Sequence, residues 1–506
     1  MRVLSTIIET TILLSVASLS ATVDNGSLVE AVKAGNVPAV RTMLQQGVDP
    51  NETEKDGTAA LHWAVHNNEA AVVDLLLAGG AQVNAKNRYG MMPLALAVTN
   101  GNYAITERLL KAGADFRAQV PGTGTILLTA ARIGNPEILK ALLSAGADVN
   151  DAEPTSGQTA LMWAAAEGHE AAVKVLLAAG ADIWGRSYDN ETPLFFAVRR
   201  GDIGSVDALL AAGADINERI DPEDTPNCDL CATFPPGTKI SPLGDTMLVV
   251  ALVNGHFELA DFLLNKGADP NAAGTRWSPL HALARVRNYE ETQYPAATAT
   301  GNLDSLALAK RLLDHGANPN ARATTMTAKR SNGDQNYVEF KGATPFLLAA
   351  KGADLPLMRL LLTAGADFAT PTDERTTPLM VAAGIGCVTG QWLEPERDVL
   401  QAVKLLVEEL KVDVNAINDR GETALHGAVY RGADSVVEYL VDKRAKLDTK
   451  DVEGKTPLDI AVDGAHRPIN IGGPRIILFR FPDHTAVLLR RLMAGHSDET
   501  LNREPK

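Results

Sequence analysis

The chain has 506 residues, a formal net charge of −15 and 45% apolar residues. Length alone allows three or four domains of the usual ~100–200 residues. The acidity argues against a nucleic-acid footprint, which needs clustered Lys and Arg to displace condensed counterions, and three cysteines exclude a disulfide-built scaffold. Aromatic residues are only 5%, so the cores must be built from Ala, Leu and Val, a composition that suits closely packed helices.

The first segment, 1–21, carries Arg2 ahead of an apolar run from Ile12 to Leu19. Ser15-Val16-Ala17 and Ser18-Leu19-Ser20 are small-x-small contexts, and the whole resembles a secretory signal peptide. Glu9, near the start of the run, fits the alternative of an amphipathic helix capping the fold. The first reading predicts a secreted or periplasmic mature chain; the second leaves it cytoplasmic. No other stretch reaches the ~18–20 apolar residues of a membrane span, so none is expected in the mature chain.

A period of 33 then dominates. The glycines of Gly-Ala-Asp and its variants fall at Gly47, Gly80, Gly113, Gly146, Gly180, Gly213, Gly267, Gly316 and Gly365, with successive spacings of 33, 33, 33, 34, 33, 54, 49 and 49. A second marker, Thr-Pro-Leu or a variant, keeps the same beat from Leu61 to Leu458. Each unit reads as a helix pair. Thr192 caps free N–H groups and Pro193 takes the first helical position, where its missing donor costs nothing. A short helix over Leu161–Glu167, a turn at Gly168-His169 and a second helix over Glu170–Ala179 are predicted. Val173, Leu176 and Leu177 share one face of the second helix. Gly180 ends it in the left-handed conformation. Neither helix is long enough to be stable alone, so neighbouring units must bury each other's faces.

These residues resemble the ankyrin repeat. Ser278-Pro279-Leu280-His281, Thr423-Ala424-Leu425-His426 and Leu61-His62 match the family's opening tetrapeptide, and Thr159–Glu191 is close to its consensus. The resemblance implies an all-α solenoid of about twelve helix-turn-helix units with hairpin-like loops, running over 22–494 and followed by a polar tail at 495–506. It also resembles bacterial ankyrin-repeat proteins that carry signal sequences. The family mostly binds proteins, so a monomeric, non-enzymatic interaction module with a protein partner is expected, without cofactor or metal.

Insertions break the period near 220–242, 287–302, 323–341, 387–397 and 463–482. The second and fourth split a helix pair. The last holds Ile476-Ile477-Leu478-Phe479-Arg480-Phe481, a strand or an apolar flap over the final unit, ahead of a closing helix over His484–Met493. Loops on a rigid scaffold are where function concentrates, although neutral growth is equally cheap in a solenoid. Cys228 and Cys231 form a CxxC in the first insertion. A local disulfide in an oxidising compartment is the leading reading; free inert thiols and a redox-linked accessory role are the alternatives. No second CxxC completes a zinc site, and Cys387 lies far away in sequence.

Other chemical candidates resolve into repeat parts. His62 and His66 have the i, i+4 spacing of a metal pair, but His62 is the tetrapeptide histidine. Gly454-Lys455-Thr456 mimics the end of a phosphate loop without its upstream glycine or strand, and reads as a hairpin followed by a Thr cap. No nucleophile elbow occurs. Asn51-Glu52-Thr53 and Asn190-Glu191-Thr192 are glycosylation sequons.

In ankyrin-like arrays, hairpin tips and inner helices line a concave groove. The resemblance places Arg88, Tyr89, Tyr188, Arg276, Trp277 and Arg420 on tips, and Arg199, Arg200, Tyr430 and Arg431 at exposed ends of inner helices. Tyr, Trp and Arg are the residue types that anchor protein interfaces. Trp63 and Trp163 are expected to pack against neighbouring helices first. A host-directed effector or cytosolic scaffold is the alternative if the N-terminus is retained.

Overall fold

The computed structural model describes residues 27–122, 124–219, 245–273, 277–287, 301–324, 340–386, 396–464, 469–470, 476–477 and 483–501. Cys228, Cys231, Cys387 and Arg276, and the 1–21 segment, lie outside them. The chain divides into two compact units, Met1–Pro154 and Thr155–Lys506.

Among the described residues the first unit holds four helix pairs. They are α1 Leu28–Lys33 with α2 Val37–Gln45, α3 Ala60–His66 with α4 Ala70–Ala78, α5 Pro93–Thr99 with α6 Tyr103–Lys111, and α7 Ile126–Ile133 with α8 Pro136–Ser144. A two-residue hairpin, β1 Gln119–Val120 and β2 Gly124–Thr125, precedes α7.

Among the described residues the second unit holds eight pairs. The first four are α9 Ala160–Glu167 with α10 Glu170–Ala178, α11 Pro193–Arg200 with α12 Ile203–Ala211, α13 Met247–Val253 with α14 Phe257–Asn265, and α15 Pro279–Arg287 with α16 Ser305–Asp314. Then come α17 Pro345–Lys351 with α18 Leu355–Thr363, α19 Pro378–Ala383 with α20 Glu396–Lys404, α21 Ala424–Arg431 with α22 Asp434–Asp442, and α23 Pro457–Gly464 with α24 Asp483–Leu501. Between α23 and α24, strand β3 Ile469–Asn470 pairs antiparallel with β4 Ile476–Ile477, the start of the predicted strand or flap. The closing helix is longer than the His484–Met493 expected.

Within each unit, first helices pack on first helices and second on second. Small residues make this possible. In α3, Ala60, Leu61, Ala64 and Val65 are buried, and in α4 Val72, Val73 and Leu76 are buried. Each such Val or Leu contributes about 1.5–3 kcal/mol over leaving it exposed. The caps follow the reading of the sequence. The Thr192, Thr246, Thr344 and Thr377 side chains accept an N–H from the first turn of α11, α13, α17 and α19. Several second helices use Asn or Asp, among them Asn102, Asn135, Asp202 and Asp354, whereas Glu69, His169, His256 and Ala433 begin α4, α10, α14 and α22 with no side-chain cap.

Two sets of side chains tie several of the pairs to the next. The first is the tetrapeptide histidine. His62 Nε2 lies 3.1 Å from Met91 O, and Ala59 N–H lies 3.1 Å from His62 Nδ1. A carbonyl only accepts, so Nε2 carries the hydrogen and Nδ1 accepts. His281 repeats this with Ala343 O at 2.9 Å and the Ser278 hydroxyl on Nδ1 at 2.7 Å. His426 Nδ1 takes the Thr423 N–H at 3.1 Å. The second set is an asparagine ladder after the left-handed glycine. Asn84 Nδ2 donates to Gly113 O at 3.2 Å while its Oδ1 accepts Asp115 N–H at 2.8 Å. Asn51, Asn271, Asn320 and Asn415 do the same one repeat apart.

The insertion that splits α15 from α16 leaves the pair intact because Arg287 bridges its two ends. The guanidinium donates to both Asp354 carboxylate oxygens, at 2.6 and 3.0 Å, and to Ser305 Oγ at 2.6 Å. At the next insertion, Ala323 N–H donates to Ala343 O at 2.9 Å and Gly342 N–H to Ala323 O at 2.8 Å, closing its foot.

Candidate functional site

The hairpin tips are built by one device. Asn87 Oδ1 accepts N–H from both Tyr89 and Met91 at 3.0 Å, and Gly90 takes φ +74°. That turn holds Tyr89 outward, 62% exposed. Arg88 donates to the Tyr89 hydroxyl at 2.8 Å and its own N–H reaches Asp56 O at 2.7 Å, joining successive tips. In the second unit Tyr188 N–H reaches Ser156 O at 2.8 Å in the same way, and the ring is 64% exposed. The ring lies so close to Gly157 that a Cβ there would sit 2.7 Å from it. Asp419 N–H to Glu374 O at 3.0 Å and Val452 N–H to Arg420 O at 2.9 Å continue the tip-to-tip joints.

Among the inner-helix ends, Arg199 and Arg200 are exposed. Arg199 lies 4.9 Å from the Phe196 ring centroid and 3.5 Å from Glu191. Burial presses the Glu191 carboxyl above its ordinary value, against the pull of Arg199. Arg420 is partly covered and lies 3.9 Å from Glu422.

Three expected surface residues are buried instead. Trp277 is 7% exposed: its ring packs 5.8 Å from His281 and carries Arg285 on its face at 4.7 Å. Tyr430 is 7% and Arg431 6% exposed. The cause is the neighbouring helix. α19 has only six residues and stops at Gly384, so its last carbonyls lack helical partners. Arg431 turns inward and donates to Ala382 O at 3.1 Å. The backbones meet closely at that point, since a Cβ on Gly384 would lie 2.4 Å from Gly427 O. Tyr430 then sits in the contact and donates to Glu422 at 3.4 Å. Burial raises the Glu422 carboxyl and the Tyr430 phenol above their ordinary values.

Trp184, 52% exposed, went unread in the sequence. The signal was available: it occupies the ladder position that is Asn in Gly-Ala-Asp-Val-Asn and Gly-Ala-Asp-Ile-Asn. Trp63 is half-buried, donating to Glu54 at 2.7 Å with the Lys33 ammonium 4.7 Å over its ring. Both nitrogens of His62 are committed to backbone, so it forms no metal pair with His66. Among the described residues no group of three His, Cys, Asp or Glu is placed to hold a metal ion, and no helix is long and apolar enough to cross a membrane. Thr456 Oγ1 accepts the Asp459 N–H at 3.3 Å as a cap, as its motif suggested, and the Asp459 carboxylate in turn accepts from the Thr456 N–H and hydroxyl.

Known proteins share this repeat. Over 119 residues the chain is 34% identical to Alpha-latrocrustotoxin-Lt1a of Latrodectus tredecimguttatus, covering 24% of this chain and 8% of that one. Over 128 residues it is 29% identical to a Transient receptor potential cation channel subfamily A member 1 homolog of Caenorhabditis elegans, covering 25% and 9%. The chain thus spans less than a tenth of the length of these two relatives. The crystal structure of the human ASB11 ankyrin repeat domain aligns with TM-score 0.34 and 28% identity, over 38% of this chain and 86% of that chain. The description "Ankyrin repeats (3 copies)" matches residues 28–120 and 127–220, "Ankyrin repeat" matches 243–272, and "Ankyrin repeats (many copies)" matches 405–461. Such repeats generally mediate protein–protein interactions, and none of the matched descriptions is a catalytic domain. Together these matches cover more than half of the sequence, and the chain belongs to the ankyrin-repeat family.

Proposed function

We propose that the protein is a non-enzymatic binding module that engages a protein partner with its hairpin tips and inner-helix ends. The observation that supports this most is the display of Tyr89 and Tyr188, which turns of fixed geometry hold outward at no benefit to the core. Arg199, 3.5 Å from Glu191 at the end of the second of these turns, and Arg200 add exposed cationic groups. Large rigid aromatics and arginines are the side chains from which interface anchors are made. Affinity capture with wild type, Tyr89→Ala and a Tyr188→Ala/Arg199→Ala double variant tests the reading. Loss of the partner from at least one variant supports it; equal recovery by all three overturns the assignment to these residues.

The compartment belongs to the same proposal. The residues up to Ala21 have the charge and apolar pattern of an export signal, so the module works outside the cytoplasm. Sequencing the N-terminus of the natural protein decides it: a start near Thr22 supports export, and retention of Arg2 overturns it.

A further inference from the structure

Four first helices of the second unit stack in succession, α11 on α13, α13 on α15 and α15 on α17. Their seventh residues are Arg199, Val253, Arg285 and Lys351. One place in the repeat thus carries a cation, an apolar residue and two more cations, in a chain of formal net charge −15. Each cation rests on rings that the fold has buried. Arg199 lies 4.9 Å from the Phe196 centroid and 5.5 Å from that of Phe195. Arg285 lies 4.7 Å from Trp277, and Lys351 lies 5.4 Å from Phe340. A ring face holds a cation in place without cancelling its charge. Arg287, by contrast, gives its charge to the buried Asp354. The row itself stays in reach of a partner: Arg199 is exposed, and Val253, Arg285 and Lys351 are half-buried. Glu191 offsets part of the Arg199 charge from 3.5 Å, and the exposed Arg200 beside it adds a further cation.

The spacing of the row selects a backbone conformation. Packed helices stand about 8–10 Å apart. One turn of a polyproline II chain, three residues at about 3.1 Å each, covers the same step and returns every third side chain to one face. A β-strand does not fit, because residues three apart point to opposite faces. We propose that the ends of α11, α13, α15 and α17 bind an acidic polyproline II segment of the protein partner. One Asp or Glu faces Arg199, an apolar side chain three residues along faces Val253, and acids six and nine residues along face Arg285 and Lys351. The count holds in either chain direction. The proposal rests on the reading of the protein as a binding module and names the chemistry of its partner. A nucleic acid fits less well, because the rings beneath the cations are covered and offer no face on which a base could stack. The overall acidity of the chain does not forbid an acidic partner, since charges further than about 8–10 Å away are largely screened at physiological salt.

The experiment selects a random peptide display library, long enough to span the row, on the full chain. Wild type should enrich peptides with acids at that spacing. Lys351→Glu should exchange the acid at one end of the pattern for Lys or Arg and keep the rest, and Arg199→Glu should do the same at the other end. By fluorescence anisotropy, peptides selected on wild type should bind each variant about tenfold more weakly. Two variants at opposite ends keep a folding defect in one of them from deciding the result. Enriched peptides without the spacing, or one preference shared by all three proteins, overturn the proposal, as does preferential capture of single-stranded RNA over these peptides. The tips are tested with the natural partner and Tyr89→Ala, neither of which enters this assay, so the two readings fail separately.

Discussion

Lys411 and Arg444 stand at φ +56° and +68°, in the position that nine other repeats give to glycine. A side chain in that region costs roughly 1–2 kcal/mol. Arg444→Gly should therefore raise stability by about 0.5–1 kcal/mol net of the freer unfolded chain, read as a higher urea midpoint. These two residues also explain why the glycine count fell short of the number of repeats. The unit was legible through Asn415 instead, which holds its ladder bonds to Arg444 O and Lys446 N–H. Gly157 is the converse case. Its φ of +69° and the ring of Tyr188 above it leave no room for a Cβ. Gly157→Ala is expected to cost about 1–3 kcal/mol and to displace Tyr188, a change visible in its ring chemical shifts. Glu422 carries a pH signature of its own. Its raised pKa means that ionisation opposes folding, so the cost is absent below about pH 4.5 and grows as pH rises through the folded value. Relative to Glu422→Gln, wild type should lose stability on going from pH 4 to 7.

At the scale of the helix, most boundaries followed from local chemistry. Thr, Pro and the terminal glycine set α11 and α10 to within a residue, because caps and left-handed turns involve only neighbours in sequence. Where the chain departs from the period, contacts distant in sequence take over. The unit after α20 has one residue more between its last core leucine and its ladder asparagine than the repeat around Leu76 and Asn84, and a π turn at Leu405–Glu409 absorbs it. Arg287 is a second such case. Its bidentate pair with the buried Asp354 holds two helices across an insertion, and nothing in the local sequence marks the partnership. Arg287→Ala strands a buried carboxylate and should cost about 3–5 kcal/mol, measured by chemical denaturation.

Within each unit, energy is shared between nearest neighbours, since a repeat there touches chiefly the one before and the one after. Unfolding need not be all-or-none. Truncation before α24, which buries Thr485, Ala486 and Leu489 against its neighbours, should cut exchange protection in α22 and α23. Protection in α9–α12 should be unchanged; a uniform loss would show a cooperativity that nearest-neighbour packing does not supply.

The amino-acid sequence determined the period, the helix pairs, the caps and the histidine and asparagine positions. Each of those depends on residues a few places apart or on a pattern repeated many times. Which aromatic and basic residues face outward was settled only by tertiary structure. Tyr89 and Tyr188 are exposed because a turn holds them there while Trp277, also expected on a tip, is buried; Arg199 and Arg200 are exposed at a helix end while Tyr430 and Arg431, at the same place in a later repeat, are buried. The difference lies in the neighbours. A short α19 leaves carbonyls that Arg431 must satisfy, and two facing glycines let the helices close over Tyr430. Exposure is a property of what packs alongside, and no single repeat encodes its neighbour's length.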